Sequence, residues 1–233
     1  MSGKRDWKKP LIFLLIFILP PLFYLLLSTG KHNLKEDLPY YGPKEPVERV
    51  VEGKKVIDTL YHEIKDFAFV NQYGDTITKD SVKGKILVVD YIFTTCQSIC
   101  PKMSTQMGML NHKIKDFDDV IILSHTVDPE HDTPEVLLEY AKGYGAKRGK
   151  WYFLTGNKKD LYRIARESYF ITAMEGDGGP EDFIHSEKFV LIDKNGHIRG
   201  FYDGTNPQEV DKLKDDIKLL RSQEFVKAQR QRK

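Results

Sequence analysis

The sequence predicts an α/β domain, with a mixed central sheet flanked by helices, behind one N-terminal transmembrane helix. Three observations lead to this class. An uncharged apolar run covers residues 11–27, strand-like and helix-like segments alternate later in the chain, and an Asn195-Gly196 turn joins the final two strands. Alternating strands and helices that close with a hairpin and a helix are typical of a sheet with parallel and antiparallel strands.

The apolar run is near the short end of the length that a helix needs to cross a bilayer. Pro20 and Pro21 interrupt it, and a membrane helix accommodates them only by local adjustment of the backbone. Four basic residues lie in the first nine positions. We therefore predict a cytoplasmic N-terminus at 1–10, a transmembrane anchor at 11–28, and a functional domain outside a bacterial plasma membrane. The alternative is a cleaved signal peptide, because the small residues Ser28-Thr29-Gly30 follow the run.

The segment after the anchor, residues 29–55, is polar and contains Pro43 and Pro46 with little hydrophobic periodicity. We predict that it is a linker between the membrane and a single folded domain at 56–224. The chain then ends in a basic tail at 225–233.

The composition is that of a globular protein, with 40% hydrophobic and 30% charged residues. The 36 basic and 34 acidic side chains are spread along the chain and give a net charge of +2. This balance provides no broad basic surface, so nucleic acid is not an expected partner. The chain has only two cysteines, which excludes a framework of several disulfides and indicates one dedicated thiol site.

Hydrophobic patterning defines the elements of the domain. Strands are predicted at 67–70, 76–78, 86–93, 120–123, 151–154, 188–192 and 197–202. Helices are predicted at 101–114, from Asp132 or Thr133 to about 143, at 159–169 and at 207–224. Met103 and Met107 lie four positions apart on the apolar face of the first of these helices, which favours core packing over thioether ligation of a metal.

Cys96 and Cys100 lie where the almost wholly apolar strand at 86–93 ends and a helix begins. The first turn of a helix presents unpaired N–H groups and the positive end of the helix dipole, which stabilise a thiolate over a thiol. The thiolate is the form that attacks disulfides and binds metals. This position predicts reactive cysteines rather than two small buried side chains.

The spacing of the two cysteines bears on their chemistry. Residues four apart on a helix have Cβ atoms about 5–6 Å apart, whereas a disulfide needs about 3.5–4.5 Å. The pair can close a disulfide with local bending, and it is better shaped to hold something between the sulfurs. Thiolates select copper(I), zinc or iron–sulfur clusters, and a structural zinc site normally has four protein ligands. A third protein ligand is therefore expected.

Seven histidines could supply that ligand. Four of them are predicted to be surface residues: His32, His62, His112 and His197. His125 and His131 flank a turn at Asp128 and are predicted to be solvent-exposed, with a transient copper site as the alternative. His185 follows the glycine-rich stretch 176–180 and precedes a strand, and the residues alone leave it open whether it is a ligand or a polar loop histidine.

Three segments together resemble one known family. They are TTCQSICP at 94–101, VDPEHDTP at 127–134, and His185-Ser186 ahead of FVLID. In this order they resemble the Sco/SenC family, thioredoxin-fold copper proteins that assist the assembly of cytochrome c oxidase. The resemblance covers roughly 57–220 together with the N-terminal anchor. The middle segment matches a DPExDTP-like pattern in which His131 occupies a variable position.

The resemblance implies a thioredoxin-like fold and a copper ion, Cu(I) or Cu(II), bound by Cys96, Cys100 and His185. It also implies that the two cysteines form a redox-active disulfide. The function it implies is a copper chaperone, not primarily an enzyme, that delivers copper to the copper-bearing subunit of cytochrome c oxidase. An upstream copper donor, a thiol reductant and the membrane are the further expected partners. The alternatives are a membrane-anchored thiol–disulfide reductase that maintains the oxidase cysteines and a copper or redox sensor.

Asp128 and Asp132 remain to be interpreted. Asp128 could orient a metal ligand from outside the coordination sphere, or it could form a turn before Pro129. The sequence leaves both roles open. For Asp132 we favour the role of a helix cap.

Overall fold

The computed structural model describes residues 8–29, 37–51, 53–171 and 186–231. The chain divides into two units, Met1–Asp37 and Leu38–Lys233. In the first unit, helix α1 (Lys8–Thr29) covers the predicted anchor and contains Pro20 and Pro21. Across the described ranges, no helix combines the length and the apolar character that crossing a membrane requires.

The second unit begins with a β-hairpin where the sequence predicts a linker. Strand β1 (Lys44–Val51) pairs antiparallel with β2 (Lys54–Tyr61). The linker prediction for 29–55 is therefore wrong over its second half. Gly53, at a φ of +78°, makes the tight connection that a side chain would strain. Valine occurs in both strands and isoleucine in β2, which suits extended backbone. Two ion pairs cross the hairpin: Arg49–Asp58 and Lys55–Glu48.

A seven-stranded sheet forms the centre of the domain. Its strands, in chain order, are β3 (Ala68–Asn71), β4 (Thr76–Thr78), β5 (Ile86–Ile92), β6 (Val120–Thr126), β7 (Trp151–Thr155), β8 (Lys188–Ile192) and β9 (Ile198–Asp203). Their order across the sheet is β4-β3-β7-β6-β5-β8-β9. The three central strands β5, β6 and β7 are parallel, and the outer ones join antiparallel. The predicted mixed sheet is confirmed.

The helices of the domain are α2 (Ile99–Lys113), α3 (Pro134–Gly143), α4 (Lys158–Glu167) and α5 (Pro207–Gln231). Each covers a predicted helix to within a few residues. The last helix continues past its predicted end at residue 224 through most of the basic tail at 225–233. Lysine, arginine, glutamine and alanine make up most of that tail, and these residues favour helix.

Every residue of β5 and β6 is buried, because helices or aromatic side chains cover both faces of these strands. We call the side of the sheet that packs against α2, α3 and α5 the α2 face; Ile86, Val88 and Ile92 of β5 point to it. We call the opposite side the α4 face; it receives Leu87 and Val89. Met103 and Met107 are fully buried on the α2 face, as predicted.

Candidate metal and redox site

The two cysteines lie at the junction of β5 and α2. Helix α2 begins at Ile99, so Cys100 is in its first turn while Cys96 is in the preceding loop. The spacing argument placed both residues on a helix, and the structure differs on this point. Ser98 occupies the cap position without a side-chain capping hydrogen bond. The N–H groups of the first turn are therefore directed towards the loop that carries Cys96.

The surroundings of the two thiols shift their pKa values in opposite directions. Cys96 is partly exposed, Cys100 is buried, and both are free thiols. Burial acts to raise the pKa of Cys96, but hydrogen bonds from the Cys100 backbone N–H and from Ser98 outweigh it and set the pKa to about 7. The Cys96 Sγ lies 3.5 Å from the Ser98 Oγ. Burial raises the pKa of Cys100 to about 12, assisted by the Cys96 thiol and by the charge of Asp90. Cys96 is therefore the readily ionised thiol of the pair.

Asp90 is a buried carboxylate on the α2 face that the sequence analysis missed. It is fully buried, and neither of its oxygens has a hydrogen-bond partner among the described residues. Burial raises the pKa of Asp90 to about 7. Ser124, which pairs with Asp90 on the neighbouring strand β6, reduces this rise in pKa only in part. The Ser124 Oγ accepts a hydrogen bond of 2.8 Å from the Trp151 indole N–H. The signal in the sequence was an aspartate in the middle of an otherwise apolar strand.

Asp132 is a second buried carboxylate, and it ties the cysteine loop to the turn after β6. It is fully buried and accepts hydrogen bonds from the Thr94 hydroxyl, at 2.5 Å, and from the Thr126 hydroxyl. The predicted capping role is therefore wrong. The cap of α3 is Thr133, whose Oγ1 accepts from the Val136 N–H, because the Asp132 side chain is already engaged by residues from two other elements.

Asp128 forms the turn that brings His131 and Asp132 into place. Its carbonyl accepts hydrogen bonds from the N–H groups of His131 (3.2 Å) and Asp132 (2.8 Å). Its own N–H donates to the Thr126 Oγ1 at 2.9 Å. The turn-forming interpretation of Asp128 thus has a structural basis in its backbone. A role for its side chain towards a metal ligand stays a prediction.

The histidines around this turn differ from one another. His131 has a half-exposed side chain, and its Nδ1 lies 3.2 Å from Asp132 Oδ1 and 3.4 Å from Thr94 Oγ1. His125, predicted to be exposed, is fully buried instead. Strand β6 extends past the predicted end at Leu123, and this extension carries His125 into the core. The two residues therefore belong to different environments despite their similar distance from the turn.

A model of the SCO1/SenC family matches residues 58–220. The chain belongs to the SCO1/SenC family. The match begins within β2 and covers the whole seven-stranded sheet, both cysteines and the turn with Asp128 and Asp132. The predicted family is therefore confirmed.

Solved structures of relatives agree with this assignment. A SCO1/SenC family lipoprotein from Bacillus anthracis is 30% identical, with a TM-score of 0.61, over 68% of this chain and 95% of that one. BsSco, a Sco protein of cytochrome c oxidase assembly in which a disulfide switch is identified, is 33% identical, with a TM-score of 0.59, over 67% and 92% of the two chains. The copper-bound ScoI of Arabidopsis thaliana is 28% identical, with a TM-score of 0.55, over 68% and 98%. The α/β architecture of this chain is thus that of the thioredoxin-like Sco domain.

The third copper ligand that the sequence predicts for this SCO1/SenC chain, His185, lies outside the described residues, as does His32. Within the described parts of the chain, no three His, Cys, Asp or Glu side chains gather as a metal site. Of the predicted ligands, the structure describes the two cysteines, which it brings together at one helix start.

The remaining surface predictions for histidines hold in part. His112 is exposed on α2. His62 is half-buried, with its Nε2 2.9 Å from the Ser168 carbonyl oxygen. The side chain of His197 is only 16% exposed, because Tyr40 and Tyr61 pack against its ring. Neither of these two rings is the freely solvated side chain that their turn and edge positions suggest.

Proposed function

We propose that this chain is a copper chaperone that delivers copper to the copper centre of cytochrome c oxidase during assembly of the oxidase. One observation carries the proposal: a partly exposed thiol with a pKa of about 7 lies beside a second, buried thiol at a helix start. Copper is the cargo in this proposal. Membership of the SCO1/SenC family and the copper found in the Arabidopsis relative support the choice of metal.

The chemistry of the pair fits a soft metal. Because its pKa is lowered to about 7, Cys96 is readily ionised near neutral pH, and the thiolate can take the ion without first losing a proton. Cys100 must lose a proton when it binds, because its pKa is about 12, and metal binding then releases that proton. We propose His185 as the third ligand. Asp128 is proposed to support the site from the neighbouring turn.

We also propose that the domain lies on the outer side of a bacterial plasma membrane, held there by the N-terminal segment. The apolar run and the four preceding basic residues support this placement. The proposed partners are the copper-bearing subunit of the oxidase, an upstream copper donor and a thiol reductant. Alkaline carbonate extraction of membranes, followed by protease digestion of intact spheroplasts, tests the placement. Release of the chain by carbonate, or protection from protease, would contradict it.

Copper titration of the purified chain tests the proposed function. The reduced protein should bind one copper ion, and Cu(II) bound to thiolate should give intense charge-transfer absorption. Cys96→Ser and Cys100→Ser should each lose this absorption, while His112→Ala, a histidine on the exposed side of α2, should retain it. The oxidised protein should bind copper weakly, because the disulfide leaves no thiolate. Unchanged stoichiometry and absorption in the serine variants would show that the metal site lies elsewhere.

The second candidate function is a thiol–disulfide reductase. The difference between the pKa values of Cys96 and Cys100 favours it, because Cys96 can attack a disulfide at neutral pH. The two thiols would pass two electrons and two protons to the oxidase cysteines, and an external dithiol would restore them. The disulfide switch identified in BsSco supports this alternative.

The variant His185→Ala separates the two functions. Copper binding should weaken by at least about tenfold, whereas the Cys96–Cys100 disulfide should still form and break. Oxidase activity in cells should fall if metal delivery is the task and persist if thiol reduction is the task. Normal copper affinity of the purified variant would remove His185 from the site.

A further inference from the structure

The turn after β6 carries His131, an imidazole that has no role in the proposed copper site at Cys96 and Cys100. The side chain of His131 is 51% exposed, and that of Asp132, which contacts it, is 0% exposed. Asp132 is held by the hydroxyl groups of Thr94 and Thr126. The exposed ring of His131 is thus held in place by the buried carboxylate of Asp132.

This contact determines which ring nitrogen is available. Asp132 accepts hydrogen bonds from both threonines, so towards His131 it is an acceptor as well, and the His131 Nδ1 carries the proton. Nε2 is then left with its lone pair, and within the described part of the chain no hydrogen bond engages it. A carboxylate that fixes one nitrogen of a histidine while the other faces outward is the arrangement found behind metal-binding histidines.

The ring also lies beside the cysteine loop. The Thr94 Oγ1 that donates to Asp132 is 3.4 Å from the His131 Nδ1, and Thr94 precedes Cys96 by two positions. Because consecutive Cα atoms are about 3.8 Å apart, the Cα atoms of Thr94 and Cys96 are separated by at most roughly 7.6 Å. His131 and Cys96 therefore flank the same stretch of loop.

We propose that His131 is an accessory copper ligand, which holds the ion through Nε2 while it enters or leaves the Cys96–Cys100 pair. The proposal rests on the proposed function as a copper carrier. Imidazole suits copper in either oxidation state, and the transfer exchanges one ligand for another without a change in oxidation state. The alternative is a purely structural role, in which His131 only stabilises the turn by its hydrogen bond to Asp132.

The test measures how fast copper leaves the loaded protein. The full chain is loaded with one equivalent of Cu(I), mixed with a chromophoric Cu(I) chelator, and followed by absorbance. His131→Ala should slow the transfer by about tenfold or more, the effect expected when a group that supports a metal site is lost. His112→Ala is the matched control, since it removes another exposed histidine from α2, and it should transfer at the wild-type rate.

A second variant separates ligation from a structural role. In His131→Asn the amide can still donate to Asp132, but it offers no imidazole nitrogen to the metal. If His131 is a ligand, the Asn variant should be as slow as the Ala variant, and added free imidazole should speed up both. Restoration of the wild-type rate by asparagine, or a wild-type rate in His131→Ala, would overturn the proposal. Failure of the wild-type chain to bind copper would instead overturn the proposed function, so the two results are distinct.

Discussion

Neighbouring positions of β5 and β6 supply a buried acid to one face of the central sheet and a buried base to the other. Asp90 lies on the α2 face, and His125 lies on the α4 face with its ring stacked on Tyr91, 5.1 Å between ring centroids. Asp90 and the Nδ1 of His125 have no hydrogen-bond partner among the described residues. Burial drives both groups towards their neutral forms. Since one is an acid and the other a base, their effects on stability have opposite dependence on pH.

The surroundings of the two groups also differ. His125 is enclosed by aromatic rings from Phe67, Phe69, Tyr91 and Tyr169, and its Nε2 lies 3.5 Å from the Tyr169 hydroxyl. Asp90 lies on the face that also receives Cys100, and its charge raises the pKa of that thiol. The comparison indicates that the acid is coupled to the site, whereas the base belongs to the core alone.

The largest expected effect concerns His125. Burial lowers its pKa from 6.5 to about 3, so the folded state holds the ring neutral, and its contribution to stability is lost as the pH falls from about 6.5 to 3. Over this whole pH range the free energy of unfolding falls by roughly 5 kcal/mol. His125→Phe should remove that part of the pH dependence. Urea unfolding of both proteins from pH 7 to pH 4, with His112→Gln as an exposed control, measures it. Equal slopes for variant and wild type would contradict the assignment.

The next effect concerns Asp90 and has the opposite sign. Burial raises its pKa from 3.8 to about 7, so stability falls as the pH rises from about 4 to 7, where the unfolded chain is ionised and the folded carboxyl is not. Asp90→Asn should remove this fall. The difference in unfolding free energy between the variant and wild type should therefore be roughly 4 kcal/mol more favourable to the variant at pH 8 than at pH 4.

Denaturant unfolding at the two pH values measures the gain. Asp66→Asn, whose side chain is 96% exposed in the wild type, is the control and should change little. A stability difference between Asp90→Asn and wild type that is the same at both pH values would show that Asp90 is not the titrating group.

The smallest effect tests whether only the acid is coupled to the site. In a Cys96→Ser background, Asp90→Asn should increase the rate at which Cys100 reacts with iodoacetamide at pH 9 by a few-fold, roughly, because a negative charge near the thiolate is removed. Burial, the larger cause of the raised pKa, remains. His125→Phe in the same background should leave the rate unchanged. An equal acceleration by both substitutions would mean that the two faces do not differ in this respect.

The sequence predicted the central elements well because their signals are local. The apolar run of β5, the asparagine–glycine turn between β8 and β9, and the periodicity of α2 each depend on nearby residues. The position of the cysteines at a strand–helix junction followed from the same signals. The structure adds that Cys96 lies before the helix and that the two thiols differ in pKa, which depends on burial and on contacts across the fold.

The failures have a common physical cause in distant contacts. His125 follows Ser124 and precedes Thr126, and these polar neighbours hid the continuation of β6 into the core. Asp132 looked like a helix cap because its local pattern fits one, yet its hydroxyl partners are Thr94, on the cysteine loop, and Thr126 at the end of β6. The hairpin of β1 and β2 was missed because its strands are exposed and carry charges, so they lack the one-sided apolar pattern of a core strand.

The division of the two cysteines between a loop and a helix has a mechanical consequence. A disulfide brings two sulfurs to about 2 Å, whereas sulfurs that share a metal ion are each bonded to the ion and stand further apart. If both cysteines belonged to α2, each change of state would have to strain a hydrogen-bonded helix. Here Cys100 is fixed by burial in the first turn, and the loop at Cys96 can absorb the difference in length through its own backbone torsions. Under the proposed function, the helix would hold Cys100 in place while the loop moves Cys96 between the disulfide and metal-bound distances.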